Sequence, residues 1–285
     1  GVTAMPAQEV APEASILQLG FSYPLPMQAI RDFVASVDRC VVLEEGDPLL
    51  VTELRAEGLV VEGKHERFRF GELNAERVRR ILDHDDSAEP TVQPGKPPAL
   101  CEGCSHRPVF ETLKRLDCIV AGDIGCYTLG VLPPFTAMDT CVCMGASIGV
   151  GLGLRHVLPE DEARRVVSVI GDSTFVHSGL TGLAEMIYNP PPTGHVVLIL
   201  DNGTTAMTGQ QEHPGTGRDL THQPTGKIHF EELARAMGLK QVVTVDPLAN
   251  DGLLETTITT ALAGNELTLI VARRPCILAA PKFRQ

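Results

Sequence analysis

The sequence VVSVIGDST, at residues 166–174, and the sequence HVVLILDNGTT, at residues 195–205, each join an apolar run to a short polar turn. Apolar, β-branched runs of this length are typical of strands that are buried on both faces. We therefore predict strands over 166–170 and 196–200. In open parallel sheets, ligands bind beyond the carboxyl ends of the strands, where these two polar turns would lie.

The same alternation of apolar runs and amphipathic stretches continues on both sides of these two segments. It predicts helices over 107–115, 146–157, 180–187, 230–237 and 252–262, and strands over 118–121, 241–245 and 268–272. Strands that alternate with helices in this way indicate the α/β class. The expected architecture is a doubly wound parallel-sheet domain over residues 99–285.

A smaller α/β domain is predicted over residues 1–84. Its expected elements are strands over 15–19 and 40–43 and helices over 27–36 and 74–82, the last with Asn74 as N-cap. Nothing upstream of Gly1 supplies the first strand that such a unit normally has, so we expect this domain to be incomplete, in a fragment or a processed subunit. The segment 85–98, DDSAEPTVQPGKPP, contains four prolines and predicts a linker.

Composition excludes some functions. The net charge of −12 argues against nucleic-acid binding, which needs clustered Lys and Arg. No apolar run approaches the ~18–20 residues of a membrane-spanning helix. The first ten residues lack the basic start and apolar core of a signal peptide. A cytoplasmic location is therefore predicted, and the eight cysteines are more typical of metal ligation than of disulfides there.

The two polar turns predict a metal site. Gly171 lets the backbone turn closely, Asp172 offers a hard carboxylate oxygen to Mg²⁺, and the helix expected after Ser173 favours an anion. Asn202 adds a side-chain oxygen and Thr204 a backbone carbonyl. Either turn alone is an ordinary loop feature. Together, at two strand ends with 27 residues (174–200) between them, they are much more specific.

Four cysteines form a second candidate site. Cys101 and Cys104 make a C-x-x-C, Cys126 follows the strand over 118–121, and Cys276 follows the last strand. In a doubly wound domain these places can converge at one sheet edge, where four thiolates suit zinc or a 4Fe-4S cluster. An incidental C-x-x-C, or a zinc knuckle that uses His106, are the alternatives.

The other cysteines, Cys40, Cys118, Cys141 and Cys143, are predicted to be packing residues. Cys143 nevertheless precedes a glycine-rich helix, MGASIGVGLGL, in which small residues such as Gly145 suit close helix packing or approach of a cofactor. That run lacks the G-x-G-x-x-G order, which argues against a dinucleotide site.

The polar turns resemble the thiamine-diphosphate signature, in which Gly-Asp-Gly is followed after roughly 25–30 residues by an Asn-containing end. Ser173 stands in place of the third glycine, and Asp201-Asn202 in place of the commoner Asn-Asn pair. With the cysteines, they resemble the pyruvate:ferredoxin oxidoreductase superfamily, in particular the α subunit of indolepyruvate ferredoxin oxidoreductase. The likeness extends over nearly the whole chain, and the stretches that carry it are LQLGFSYPLP, VVLEEGDPLL, LCEGCSHRPVF, GDIGCYTLG, AMDTCVCMGASIGVGLGL, GDSTFVHSGLTGL and LDNGTTAMTGQQEHPGTG.

The resemblance implies a set of site residues. Asp172, Asn202 and the Thr204 carbonyl would hold Mg²⁺. Residues that would contact thiamine diphosphate are Gly171, Asp172, Ser173, Asn202, Thr204, Cys143 and Gly145. The ligands of a 4Fe-4S cluster would be Cys101, Cys104, Cys126 and Cys276. Residues 1–84 resemble the transketolase-C-terminal-like domain of that subunit. No catalytic residue is assigned, although His106, Arg107, His177 and His213 lie near these motifs.

The implied reaction is oxidative decarboxylation of an aryl pyruvate, such as indolepyruvate, to an acyl-CoA and CO₂, with coenzyme A as co-substrate. The family's pyrimidine-binding domain and ferredoxin-like tail have no counterpart in residues 1–285. The expected partners are therefore a pyrimidine-binding domain or subunit, an indolepyruvate oxidoreductase β-like subunit, and ferredoxin or another electron acceptor; the isolated chain is expected to be inactive. The alternatives are a non-oxidative thiamine-diphosphate decarboxylase or synthase, and a non-catalytic metal-binding subunit.

Overall fold

The computed structural model describes residues 2–89, 95–249 and 251–279. The chain divides into two compact units, Gly1–Pro94 and Gly95–Gln285. This division falls inside the segment 85–98 for which the sequence predicts a linker; residues 90–94 of that segment lie outside the described residues. The finer domain bounds stay a prediction.

The first unit is built around a two-stranded parallel sheet. In chain order its elements are α1 (Ala4–Val10), α2 (Met27–Ala35), β1 (Val41–Val42), α3 (Leu49–Ala56), β2 (Glu62–Gly63), a 3₁₀ turn (Glu66–Phe68) and α4 (Ala75–Leu82). Successive strand residues point to opposite faces, so Val41 and Val42 pack into different apolar clusters. The helices over 27–36 and 74–82 and the strand over 40–43 are confirmed with small shifts in their ends.

Asn74 caps α4 as the sequence predicts. Its side-chain Oδ1 accepts a hydrogen bond from Arg77 N at 3.0 Å, which satisfies one of the free N–H groups of the first turn. Two arginines of α4 also form ion pairs with the segment that follows the helix: Arg77 pairs with Glu89 at 2.6 Å, and Arg80 with Asp85 at 3.1 Å. The beginning of the proline-rich segment is therefore fastened to α4.

The predicted strand over 15–19 is wrong. Those residues form no strand, and Ile16 and Leu17 are 42% and 37% exposed. A strand needs backbone hydrogen bonds to a neighbouring strand, and in the part of the chain that the structure describes residues 15–19 form none. Its apolar composition was the only signal for a strand.

The second unit is a six-stranded parallel sheet with the strand order β4-β3-β5-β6-β8-β7. Its elements are α5 (His106–Arg115), β3 (Ile119–Gly122), a 3₁₀ segment (Cys126–Val131), β4 (Thr140–Cys141), α6 (Ser147–Val157), α7 (Glu160–Ala163), β5 (Val166–Gly171), α8 (Asp172–Thr174), a π turn (Phe175–Gly179), α9 (Leu180–Tyr188), β6 (His195–Asp201), α10 (Phe230–Ala236), β7 (Gln241–Val245), α11 (Leu253–Ala263) and β8 (Leu267–Arg273). All predicted elements from residue 99 onward are found, within two residues at each end.

Helices cover both faces of this sheet. The apolar side chains of α5 and α11 pack with one face, to which Leu198 and Ile270 belong. Those of α6, α9 and α10 pack with the opposite face, to which Ile199 and Val271 belong. Alternate residues of each central strand thus enter different cores, and the doubly wound α/β fold is confirmed.

The strand order reverses between β3 and β5. From β3 the chain moves outward to β4 at the edge, and then returns across β3 to β5 on its other side. Connections that leave in opposite directions open a crevice at the carboxyl ends of the two strands, where ligands of such folds bind. Asp123 and Asp172 directly follow those two strands.

Among the described residues, the helices are all too short or too polar to cross a membrane.

His195 joins three elements in the core beneath this crevice. It is fully buried, and its Nε2 lies 2.8 Å from Ser168 Oγ on β5. Ser168 Oγ in turn donates to the Ser147 carbonyl of α6 at 2.8 Å. Because Ser168 Oγ donates its proton to the Ser147 carbonyl, it accepts from the His195 ring, which therefore donates from Nε2. Burial, with a smaller contribution from the Arg155 charge, lowers the pKa of His195 to about 3.

We predict that acidification destabilises the protein through His195. The unfolded chain takes up a proton below a pKa of about 6.5, whereas the folded ring stays neutral until about pH 3. Stability is therefore fully present above the unfolded pKa, and falls by about 2 kcal/mol between pH 7 and pH 5. Urea denaturation at pH 5, 6 and 7 measures this change.

His195→Gln, which keeps a donor toward Ser168, should remove about 2 kcal/mol of that pH dependence. His84→Gln, at a histidine with a largely exposed side chain, is the matched control and should leave the dependence unchanged. An unaltered pH profile in His195→Gln would contradict the assignment.

Candidate functional site

The carboxylate of Asp172 joins the loops that follow β5 and β6. Its Oδ1 accepts a hydrogen bond from Ser173 N and its Oδ2 accepts one from Gly203 N, both at 2.8 Å. The side chain is 4% exposed. Gly203 has a φ of +72°, which a glycine adopts without strain. The two predicted polar turns therefore meet at one buried carboxylate.

Gly171 is a glycine because Tyr127 lies against it. A Cβ at Gly171 would lie 2.6 Å from Tyr127 Cε1. The tyrosine is buried, and its hydroxyl donates to the Ile124 carbonyl at 2.9 Å. Thr174 Oγ1 donates to the same carbonyl at 2.9 Å, so the loop after β3 is bonded to the first turn after β5.

Asn202 and Thr204 form a compact turn beside Asp172. Asn202 Oδ1 accepts from Thr204 N at 3.1 Å, and both side chains are buried. Asn202 Nδ2 lies 3.3 Å from His106 Nε2. Because the amide nitrogen donates, Nε2 is the acceptor and the ring proton of His106 is on Nδ1. Burial lowers the pKa of His106 to about 4, against a raising effect of the Asp172 charge. His106 is thus neutral at physiological pH.

Ser173 also bonds to the second loop. Thr205 Oγ1 donates to Ser173 Oγ at 2.7 Å. Five of the predicted cofactor and metal residues, Gly171, Asp172, Ser173, Asn202 and Thr204, therefore lie in one hydrogen-bonded group.

Asp123 organises the remaining two predicted cofactor residues. Its Oδ1 accepts from Ile124 N at 2.8 Å and from Gly145 N at 2.7 Å, and its Oδ2 accepts from Ser147 N at 2.9 Å. Gly145 has a φ of +89°, and a Cβ there would overlap Ser178. Cys143 begins this turn and is exposed. Sequence reasoning missed Asp123, although Gly122-Asp123 at the end of β3 repeats the Gly171-Asp172 pattern at the end of β5.

The side chain of Asp201, next to the predicted metal ligand Asn202, is paired with Arg273. Arg273 Nε donates to Asp201 Oδ2 at 2.6 Å, and the same guanidinium pairs with Glu231 at 2.7 Å. Burial and the nearby Asp172 charge raise the pKa of Asp201, while Arg273 opposes both. An aspartate in place of the commoner asparagine is accommodated by this arginine.

The four polar residues named near the motifs separate into two groups. His106 and His213 lie at the site, the latter with Nε2 3.3 Å from Asp172 Oδ2. Arg107 donates to the Leu100 carbonyl at 3.1 Å and stacks over the Phe135 ring, and His177 is exposed with Nδ1 2.9 Å from Ser178 Oγ.

Next to the Asp172 group lies a cavity of about 230 Å³. Its lining includes all four cysteines of the second candidate site, Cys101, Cys104, Cys126 and Cys276, together with His106 and Asn202. Cys276 N also donates to the Asn202 carbonyl at 2.9 Å. Burial, with smaller contributions from the other three thiols, raises the pKa of Cys126 to about 11. The structure therefore brings the predicted quartet together.

The zinc knuckle with His106 stays an alternative prediction; His106 Nε2 lies 3.3 Å from Asn202 Nδ2. Within residues 2–89, 95–249 and 251–279, no three or more His, Cys, Asp or Glu side chains surround a point that could hold a single ion. The predicted magnesium ligands are one carboxylate and two neutral oxygens, so they do not form a group of three His, Cys, Asp or Glu side chains.

The packing role predicted for the other cysteines holds for two of them. Cys40 packs in the first unit, and burial raises the pKa of Cys118 to about 12. The prediction is wrong for Cys141 and Cys143, which are exposed. Cys141 is the last residue of β4 and Cys143 follows it; β4 is an edge strand of two residues.

A parallel sheet with a buried acidic turn after β5 and an amide-bearing turn after β6 defines a class of cofactor-binding domain. Residues 123–272, just over half of the chain, match the family model described as thiamine pyrophosphate enzyme, C-terminal TPP binding domain. The chain belongs to this family.

Over nearly its whole length the chain is also similar to proteins named indolepyruvate oxidoreductase subunit IorA. It is 35% identical to that of Methanothermobacter marburgensis over 97% of this chain and 48% of the relative. It is 33% identical to that of Archaeoglobus fulgidus over 95% and 46%, and 36% identical to that of Pyrococcus horikoshii over 92% and 45%. The resemblance predicted from the motifs is confirmed. The chain spans about half the length of these relatives.

Among solved structures, the 2-oxoglutarate:ferredoxin oxidoreductase of Magnetococcus marinus has a similar fold. The TM-score is 0.51 at 15% identity, over 64% of this chain and 65% of that one. This similarity supports the α/β fold.

We predict that Gly171→Ala destabilises the protein by about 1–3 kcal/mol, the usual cost of overpacking. The added Cβ would press on the buried Tyr127 ring, which has no room to move away. Gly149→Ala is the matched control, since a Cβ there meets nothing within 4 Å on an exposed face of α6. It should stabilise the helix by roughly 0.5–1 kcal/mol. Equal unfolding free energies for the two variants would contradict the close contact.

Proposed function

We propose that this chain supplies the diphosphate-binding and metal-binding half of the active site of a 2-oxoacid:ferredoxin oxidoreductase. The enzyme would use thiamine diphosphate, Mg²⁺ and a 4Fe-4S cluster. It would convert an aryl pyruvate of the indolepyruvate type, with coenzyme A, to an acyl-CoA and CO₂ in the cytoplasm.

The observation that carries this proposal is the shared cavity. Cys101, Cys104, Cys126 and Cys276 line the same space as Asn202, a residue of the turn that meets Asp172. A non-oxidative thiamine enzyme has no use for four thiols beside its cofactor turn. An enzyme that must remove electrons after decarboxylation needs an acceptor at that place.

The donor set fits a magnesium ion. Asp172 contributes a charged oxygen, and Asn202 and the Thr204 carbonyl contribute neutral ones, all from buried residues at two strand ends. Hard oxygen ligands of this kind are those that Mg²⁺ prefers, with phosphate oxygens and water completing its octahedron. Each carboxylate or amide oxygen that already accepts an N–H keeps a second lone pair for the ion.

Each residue has a defined task in the proposed site. Asp172, Asn202 and Thr204 would hold the metal, and Gly171 leaves room for the backbone to approach the diphosphate. Asp123 fixes the turn from Cys143 to Ser147 by two hydrogen bonds, from Gly145 N and Ser147 N. The cofactor itself, when bound, supplies an electron sink for the decarboxylation.

The overall reaction releases CO₂, a proton and a pair of electrons for each acyl-CoA formed. The electrons would pass through the cluster to ferredoxin or another acceptor. Because the chain spans about half of its relatives, a pyrimidine-binding domain or subunit and a β-like subunit would complete the enzyme. The isolated chain should bind cofactor without turning over substrate.

We predict that Asp172→Asn abolishes binding of thiamine diphosphate in the presence of Mg²⁺. The amide has the same shape but a single acceptor oxygen, so it keeps only one of the two N–H bonds and lacks the charge that a hard cation requires. Isothermal titration calorimetry of the full chain measures the loss. Asp161→Asn, at an exposed acid on α7, should bind like the wild type. Unchanged affinity in Asp172→Asn would remove Asp172 from the site.

The cluster is tested by anaerobic purification. We expect a brown protein with about four iron and four sulfide per chain, the content of one 4Fe-4S cluster. Cys101→Ser and Cys276→Ser should each lose most of the iron and the visible absorbance. Cys118→Ser, at a partly buried cysteine that does not line the cavity, should keep both.

The three functional hypotheses give different results in this experiment. Thiamine diphosphate binding without iron would indicate a non-oxidative decarboxylase or synthase, and binding of neither would indicate a non-catalytic subunit. The iron-containing chain, combined with its partner subunit and coenzyme A, is then assayed with aryl and alkyl 2-oxoacids and a ferredoxin. A preference for alkyl substrates would overturn the proposed substrate class.

A further inference from the structure

His213 has a buried ring atom that lacks a hydrogen-bond partner. It lies in the loop between β6 and α10, and its side chain is 5% exposed. Its Nε2 is 3.3 Å from Asp172 Oδ2, yet no group in the described part of the chain forms a hydrogen bond with it. Buried polar atoms in native proteins are nearly always paired, so an unpaired one at a binding site calls for a ligand.

The unpaired atom is a hydrogen-bond donor. Gly215 N donates to the other ring nitrogen, Nδ1, at 3.2 Å. Nδ1 is therefore the acceptor of the imidazole, and the ring proton of the neutral form is on Nε2. Nε2 lies beside the carboxylate that is proposed to hold the metal, and its N–H group has no acceptor in the described part of the chain.

The surrounding loop fixes the ring in this position. Thr216 donates twice to the His213 carbonyl, from N at 2.8 Å and from Oγ1 at 2.9 Å. A Cβ at Gly215 would lie 2.6 Å from the Phe230 ring and 3.0 Å from His213 Cε1, so only glycine fits beside the imidazole. Such support is what a group needs when it must act on a ligand in a set geometry.

We propose that His213 Nε2 donates a hydrogen bond to an oxygen of the diphosphate that the metal at Asp172 holds. Asp172 Oδ2 already accepts from Gly203 N at 2.8 Å, and the Nε2–H bond does not point at it. In an octahedral Mg²⁺ site, adjacent ligand oxygens are about 3 Å apart. A donor 3.3 Å from one ligand oxygen therefore lies within reach of a phosphate oxygen at the next position. This inference rests on the proposed function.

Two substitutions separate the ring's nitrogens. His213→Asn keeps an acceptor near the Nδ1 position for Gly215 N but has no group that reaches the Nε2 position. His213→Gln restores an N–H at the Nε2 position. We expect His213→Asn to weaken binding of Mg²⁺-thiamine diphosphate and of Mg²⁺-pyrophosphate by roughly 10- to 100-fold, the loss of one hydrogen bond to a charged group. His213→Gln should recover most of that affinity.

Titration calorimetry of the full chain gives these affinities, and Mn²⁺ electron paramagnetic resonance gives the affinity for the metal alone. Mn²⁺ binding without diphosphate should be the same in wild type and His213→Asn. His222→Gln, at an exposed histidine of the same loop that pairs with Glu212, is the control and should bind both probes normally. The thermal unfolding midpoint of the ligand-free His213→Asn chain should stay within a degree or two of the wild type.

Each contrary result has a separate meaning. Equal affinity of His213→Asn for both diphosphates would overturn the inference. An equal loss of Mn²⁺ affinity would make His213 a positioning residue for Asp172, and a large fall in the ligand-free unfolding midpoint would make it a structural one; both also overturn it. A wild-type chain that binds Mn²⁺ but neither diphosphate would instead refute the proposed function on which the inference rests.

Discussion

The carboxylate of Asp172 accepts one N–H from each of two loops, Ser173 N after β5 and Gly203 N after β6. Strands of a parallel sheet end with main-chain groups that no neighbouring strand pairs, and buried N–H groups must find acceptors. A single charged side chain meets this need for both loops. It also leaves a negative charge in a buried place, which is stable only beside a cation or several donors. The same carboxylate thus holds the two turns together and creates the proposed metal site.

A second aspartate shows the limit of this device. Asp123 follows β3 as Asp172 follows β5, but its two oxygens accept three N–H bonds, from Ile124, Gly145 and Ser147. It is completely buried and its charge is taken up by the main chain. Within the described residues Asp172 accepts two such bonds and keeps more of its acceptor capacity. The same Gly-Asp pattern therefore builds a structural anchor at one strand end and the proposed ligand site at the next.

Local signals predicted the second unit well because its strands are buried on both faces and leave uninterrupted apolar runs. The strands Val166–Gly171 and His195–Asp201, buried along their whole length, were predicted to within one residue at each end. The same reasoning failed where the outcome depends on a distant partner. The apolar run at 15–19 pairs with no strand in the described part of the chain, and Cys143, which follows the short edge strand β4, is exposed. Among the histidines, only the folding of the loop after β6 distinguishes His213, beside Asp172, from the exposed His177.

The charges at the strand ends also indicate that, at the proposed site, binding of a diphosphate would depend on binding of the metal. Arg273 pairs with both Asp201 and Glu231 and offsets one of their two negative charges, and main-chain N–H groups donate to Asp123. The Asp172 charge remains, in a pocket to which His106, neutral at physiological pH, adds no positive charge. A diphosphate brought to this pocket alone would meet a like charge in a place of low dielectric. A divalent cation would reverse that interaction, so at the proposed site a diphosphate would bind only together with the metal.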